Sequence, residues 1–105
     1  MAGLTLIYTL CGSDQEADEM CRTLVGEKLA ACANRLAACT SYFEWRGEMQ
    51  CRTEFPILFK TLLLSGDEAK KRIEEIHSYD APAIISWDVD NVSAQFYSWM
   101  LKQSA

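Results

Sequence analysis

The hydrophobic pattern of this chain switches from a two-residue period to a helical one twice, and the same polar phrase marks both switches. LTLIYTLC, residues 4 to 11, is rich in β-favouring residues and stops at Gly12, as a buried strand does. Ser13 and Glu16 then form a Ser-x-x-Glu capping box, after which Ala17, Met20, Cys21, Leu24, Val25 and Leu29 fall on one helical stripe. Ser65 and Glu68 repeat the box, and Ala69, Ile73 and Ile76 give the apolar stripe of a second helix over about 66–77.

The segment between the helices reads two ways. LAAC occurs twice, seven residues apart, and its alanines favour helix. TSYFEW, then RGEMQ with Gly47 at the turn, then TEFPILFKT favour two long strands joined as a hairpin. Strands are expected at about Ala33–Trp45 and Cys51–Leu63. Pro56 cannot donate to a ladder, so it marks an edge, a bulge or a change of pairing partner. APAIISWDV returns to strand, and Asn91 or Ser93 caps a terminal helix with Val92, Phe96, Trp99 and Met100 on one side.

The order β-α-β-β-α-β plus a C-terminal helix predicts an α+β, ferredoxin-like split βαβ sandwich, with a four-stranded antiparallel sheet and two helices on one face. At 105 residues one core is the normal solution, so residues 1–105 are expected to form a single domain. Three Trp, four Tyr and four Phe are a heavy aromatic load for so small a body. The sheet face without helices therefore needs cover, and self-association supplies it.

Ten basic residues against fifteen acidic ones give a net charge of −5, which disfavours nucleic acid as a partner. The basic run Lys70-Lys71-Arg72 lies within DEAKKRIEE, where opposite charges four apart pair along a solvated helix face. No stretch approaches the roughly 20 apolar residues of a membrane span. MAGLTLIYTLCG runs into strand alternation with no charged leader, so a cytoplasmic protein is expected. Five cysteines at irregular spacings fit reduced thiols better than a disulfide framework.

His77, the lone histidine, closes the second helix, where the helix dipole favours an imidazolium with or without a further role. No CxxC occurs, so a self-contained zinc site is not expected. Cys21 sits on the core stripe. Cys11 ends the first strand just before a helix N-terminus, a setting that lowers a thiol pKa, and it reads either as a ligand or as a buried inert thiol. Glu54 and Lys60 share one strand face six residues apart and serve an interface or a cleft. The chain has no Ser-His-Asp spacing, phosphate-binding glycine loop or HExxH, so no enzymatic activity is expected.

EKLAACAN at 27–34, YFEWRGEM at 42–49, TEFPILFKT at 53–61 and HSYDAPAI at 77–84 stand in order on the expected elements. Together they resemble the divalent-cation tolerance family CutA over nearly the whole chain. The resemblance implies a ferredoxin-like subunit in a tight homotrimer, cytosolic, and associated with copper and other divalent ions. It implies a cleft between subunits holding His77, Tyr79 and Asp80, with His77, Cys11 and Asp80 as candidate metal ligands. Tyr79, Glu54, Lys60 and Cys32 are candidates for lining that cleft, and Trp45 and Tyr42, on the hairpin, for the trimer interface. Where the family reads His-Pro-Tyr-Glu, this chain has His77-Ser78-Tyr79-Asp80, losing a rigid proline turn and one methylene. The trimeric architecture also resembles PII signalling proteins, so a small-molecule sensor or interaction scaffold is the alternative. Those proteins carry a long partner loop, and RGEMQ is a short turn.

Overall fold

A computed structural model describes residues 3–104, so residues 1, 2 and 105 of the expected 1–105 unit lie outside the described residues. In chain order the elements are β1 (Leu4–Cys11), α1 (Asp14–Gly26), β2 (Cys32–Arg35), β3 (Cys39–Trp45), β4 (Glu48–Leu62), α2 (Gly66–Ile76), β5 (Ile84–Val89) and α3 (Ala94–Gln103). The strands pair antiparallel in the order β2-β4-β1-β5, with β3 on the outer part of β4. β1 and β2 thus flank β4, and β4 and β5 flank β1, which is the doubly split βαβ arrangement. No helix among the described residues is long and apolar enough to cross a membrane.

Strand alternation decides what the helices cover. Thr5, Ile7, Thr9 and Cys11 of β1 and Ile57, Phe59 and Thr61 of β4 are buried, and Ala17, Met20 and Leu24 of α1 with Ala69 and Ile73 of α2 are buried with them. Burying each large apolar side chain there stabilises the fold by about 1.5–3 kcal/mol. Val25, expected on the α1 stripe, is exposed, and Leu29 lies beyond the helix. The helix ends first because Lys28 takes a left-handed φ of 62°, with the Leu29 N–H returning to Leu24 O at 3.0 Å and the Lys28 N–H to Val25 O at 3.0 Å, a Schellman closure. On the opposite sheet face Ile85 and Trp87 stay exposed. Part of that face meets α3, whose Met100 is buried and whose Phe96 ring lies 5.5 Å from Lys60 Nζ.

The two capping boxes differ in outcome. Ser13 has extended backbone, and its hydroxyl accepts the Glu16 N–H at 3.1 Å. Ser65 makes no such bond, because residues 63–65 form a 3-10 turn that leaves its backbone helical instead of extended. That turn also takes Leu63 out of the strand expected to contain it.

The strand expected over 33–45 is broken into β2 and β3. Arg35 faces Ile57 and Cys39 faces Glu54, so residues 36–38 stand opposite only Phe55 and Pro56. One extra residue makes a bulge. Pro56 explains its position: the Leu36 N–H donates to Pro56 O at 3.0 Å, and an antiparallel residue turns its N–H and C=O to the same neighbour. The donor that proline lacks would have pointed into the bulge, so no ladder bond to β1 is lost opposite Leu10.

Beyond the bulge, β4 keeps only β3 as partner. This two-stranded arm, on a molecule measuring 46 × 25 × 23 Å, leaves Tyr42 at 70%, Trp45 at 60% and Met49 at 75% exposure. Arg46 and Gly47 close it with φ of 52° and 81°, the double positive φ of a two-residue I′ turn. Ala in place of Gly47 has open space for its methyl but must adopt the left-handed backbone. Gly47→Ala is therefore expected to destabilise by about 1–2 kcal/mol in urea unfolding, and an unchanged midpoint would contradict this turn geometry.

Candidate metal centre

The loop leaving α2 folds back onto the strand-to-helix junction after β1. His77 caps α2 with extended backbone (φ −73°, ψ 139°), which swings its side chain into full burial. The Tyr79 backbone N–H donates to His77 Nδ1 at 3.2 Å, and Nε2 lies 2.9 Å from Leu10 O. A backbone N–H can only donate, so Nδ1 is the bare nitrogen and Nε2–H donates to the carbonyl. The imidazole thus ties the end of β1 to the loop.

Glu16 is the second tie. Its Oε2 accepts the Ser78 N–H at 2.8 Å, and its Oε1 accepts the Ser78 hydroxyl at 3.0 Å and the Gly12 N–H at 3.3 Å. Burial works to raise this carboxyl, but the Ser78 and Gly12 bonds and nearby His77 together hold it below the usual carboxylate range. A proline at 78 could not donate the 2.8 Å bond. The departure from His-Pro-Tyr-Glu therefore exchanges ring stiffness for two hydrogen bonds to an anion.

Cys11 is fully buried beside this pair, its Sγ 3.9 Å from Met20 Sδ. The helix N-terminus does not lower its pKa as expected. Burial, with the Glu16 charge adding to it, pushes the thiol up to about 12. Ligand atoms of Cys11, Glu16 and His77 all lie within 4.8 Å of one another, with His77 Nδ1 3.7 Å from Glu16 Oε2. A thiol, a carboxylate and an imidazole gathered so closely are a chemically reasonable donor set for a transition-metal ion.

Tyr79 closes one side. Its hydroxyl donates to Glu54 Oε2 at 2.8 Å, its ring centroid is 4.8 Å from that of His77, and it lies over Gly12. A methyl group at Gly12 would stand 3.0 Å from the Tyr79 oxygen. Burial first and the buried Glu54 second push the phenol up to about 12.

Of the residues singled out in the sequence, the structure gathers Cys11 and His77, with Tyr79 and Glu54 as an adjoining wall. Asp80 is exposed and outside the cluster: the backbone turns extended at His77, and the carboxylate beside the imidazole comes from Glu16 instead. Cys32 and Lys60 face each other across β2 and β4, about 20 Å of strand away from Glu54 at roughly 3.3 Å per residue. Tyr42 and Trp45 stand on the arm. The sequence pattern does not mark Glu16 or Met20 as site residues, because a capping box accounts fully for the glutamate and an apolar stripe for the methionine.

Fold and cluster together define a split βαβ protein with a candidate metal centre at the junction of its first strand and helix. The chain matches the family model for the CutA1 divalent ion tolerance protein over residues 5–103, and it belongs to that family. It is 34% identical over 101 residues to the divalent-cation tolerance protein CutA of Pyrococcus horikoshii, covering 96% of this chain and 98% of that one. The crystal structure of CutA1 from Ehrlichia chaffeensis superposes with a TM-score of 0.95 at 34% identity, covering 100% and 98% of the two chains. The periplasmic CutA of Archaeoglobus fulgidus superposes with a TM-score of 0.90 at 28% identity, covering 97% and 99%. The family is named for ion tolerance and not for a reaction.

The Glu16 tie has a testable pH signature. Because its folded carboxyl lies below the ordinary value of 4.5, its stabilisation is complete above that pH and is lost as pH falls through the folded value. Glu16→Gln keeps the shape but removes the charge, and is expected to cost about 1–3 kcal/mol at neutral pH while flattening the acid limb of the stability profile. Urea unfolding across the acid range measures both, and parallel profiles for parent and variant would contradict the assignment.

Proposed function

We propose that this chain is a homotrimeric, cytoplasmic metal-tolerance protein that binds copper or a related ion through Cys11 and His77, with Glu16 as the adjoining carboxylate. The convergence of those three donors within 4.8 Å carries this reading. Tyr79 and Glu54 form the wall that shields the site. The five free cysteines are consistent with a reducing compartment.

The trimer rests on the arm and the uncovered sheet face. A two-stranded ribbon is marginal by itself, and the arm carries Tyr42, Phe43, Trp45 and Met49 exposed. Contact with neighbouring copies would bury these side chains together with Ile85 and Trp87. Trp45→Ala is expected to weaken association while leaving the circular dichroism of the subunit intact. Sedimentation across a dilution series should give three chains per particle for the parent, and a stable, well-folded monomer at micromolar concentration would refute the assembly.

For the metal site, His77→Gln is the informative change, since an amide can keep a hydrogen bond to Leu10 O but is a poor ligand. Copper affinity should fall at least about tenfold in His77→Gln and in Cys11→Ser, compared at equal folded fraction. If both variants bind copper as the parent does, the cluster is a structural tie and the ion binds elsewhere.

A further inference from the structure

The cluster contains a fourth donor, which the three-residue ligand set leaves without a task. Met20 is only 2% exposed, and its sulfur faces the fully buried Cys11 sulfur at 3.9 Å. The oxygen and nitrogen donors are already engaged: Glu16 accepts three hydrogen bonds, and both ring nitrogens of His77 are bonded. Among the described residues the Cys11 thiol bonds only the Met20 sulfur, and an S–H···S contact is weak. The donors that an incoming ion displaces at least cost are therefore the two sulfurs.

Their spacing fits an ion between them. Bonds of about 2.3 Å, the zinc–thiolate length that a first-row ion also approaches, place two sulfurs roughly 3.8 Å apart at a tetrahedral angle and roughly 4.0 Å apart at a trigonal one, and the larger silver(I) needs them slightly farther apart. The observed 3.9 Å falls between those values. Burial adds a second selection, because a hard divalent ion holds its water tightly and seeks oxygen ligands, whereas a soft monovalent ion prefers thiolate and thioether.

We propose that Met20 is a ligand of this site and that its thioether, with the Cys11 sulfur, selects a soft monovalent ion such as copper(I) or silver(I) over hard divalent ions. The proposal rests on Cys11 and His77 being the site at all. On binding, a metal–sulfur bond forms as the Cys11 S–H bond breaks, and the proton leaves to solvent. No electron moves, because the ion arrives in its monovalent state. Met20 adds a neutral donor lone pair and releases nothing.

The test uses silver(I) as a redox-silent probe and copper(I) under anaerobic conditions, each titrated against a competing chelator. Met20→Leu conserves volume and apolarity, so the core around it should hold. Silver(I) and copper(I) affinity should fall at least about tenfold in Met20→Leu while zinc affinity is unchanged, and Cys11→Ser should abolish tight silver binding. Silver binding undiminished in Met20→Leu but lost in Cys11→Ser would overturn the role of Met20 and leave the site standing. Silver binding undiminished in both would overturn the site, and the proposal with it. A readout on the unaltered chain stands beside these: the carbon-13 methyl resonance of Met20 should shift on adding one equivalent of silver(I), and an unmoved resonance would also overturn the proposal.

Discussion

A single carboxylate holds the candidate-site end of this molecule together. Glu16 reaches from the first turn of α1 to the backbone of Gly12 on one side and of Ser78 on the other. Through it the end of β1, the start of α1 and the exit from α2 become one rigid corner. The His77 bonds to Leu10 and Tyr79 run alongside and brace the same corner. Without the Glu16 charge, the loop after α2 would be anchored at that corner by the imidazole and the Tyr79 phenol alone. Hydrogen bonds to an ionised, mostly buried acceptor are stronger than neutral ones, which is why one side chain can have such reach.

Much of the fold was legible in the sequence because burial follows period. The alternation in LTLIYTLC and the stripe from Ala17 to Leu24 each put the right side chains on the sheet or helix face that meets the core. What was hidden had a physical reason in each case. The break between β2 and β3 depends on a one-residue register offset, and no local preference of Leu36, Ala37 or Ala38 announces it. The second capping phrase failed because a 3-10 turn holds the backbone of Ser65 in a helical conformation, where a capping residue is extended.

The candidate site was half legible for a related reason. Cys11 and His77 are conspicuous by chemistry, and the spacing of elements brings them together. Glu16 was hidden by sufficiency: Ser13-x-x-Glu16 already accounts for a glutamate there, yet the carboxylate bypasses the Ser13 N–H for Gly12 and Ser78. Asp80 stands out because it is near His77 in sequence, but proximity along the chain after a helix says little about direction. The extended backbone at His77 sends the next residues toward solvent. Ser78 turns back through its bonds to Glu16, and Tyr79 is held by Glu54 and seated on a residue with no side chain.

The bulge opposite Pro56 separates two registers on a single strand. Body and arm share β4 as a common rail, yet each is indexed to it independently, as two gears on one shaft can carry different teeth. A slip of pairing within the arm has nothing to push against in the core, because the offset at residues 36–38 resets the count. The reach of the arm is therefore a free parameter of the architecture. Two residues added to each of its strands would lengthen it by about 7 Å at roughly 3.4 Å per residue and preserve which side chains face which way. A lineage could tune how far the arm extends from the body without repacking a single core side chain.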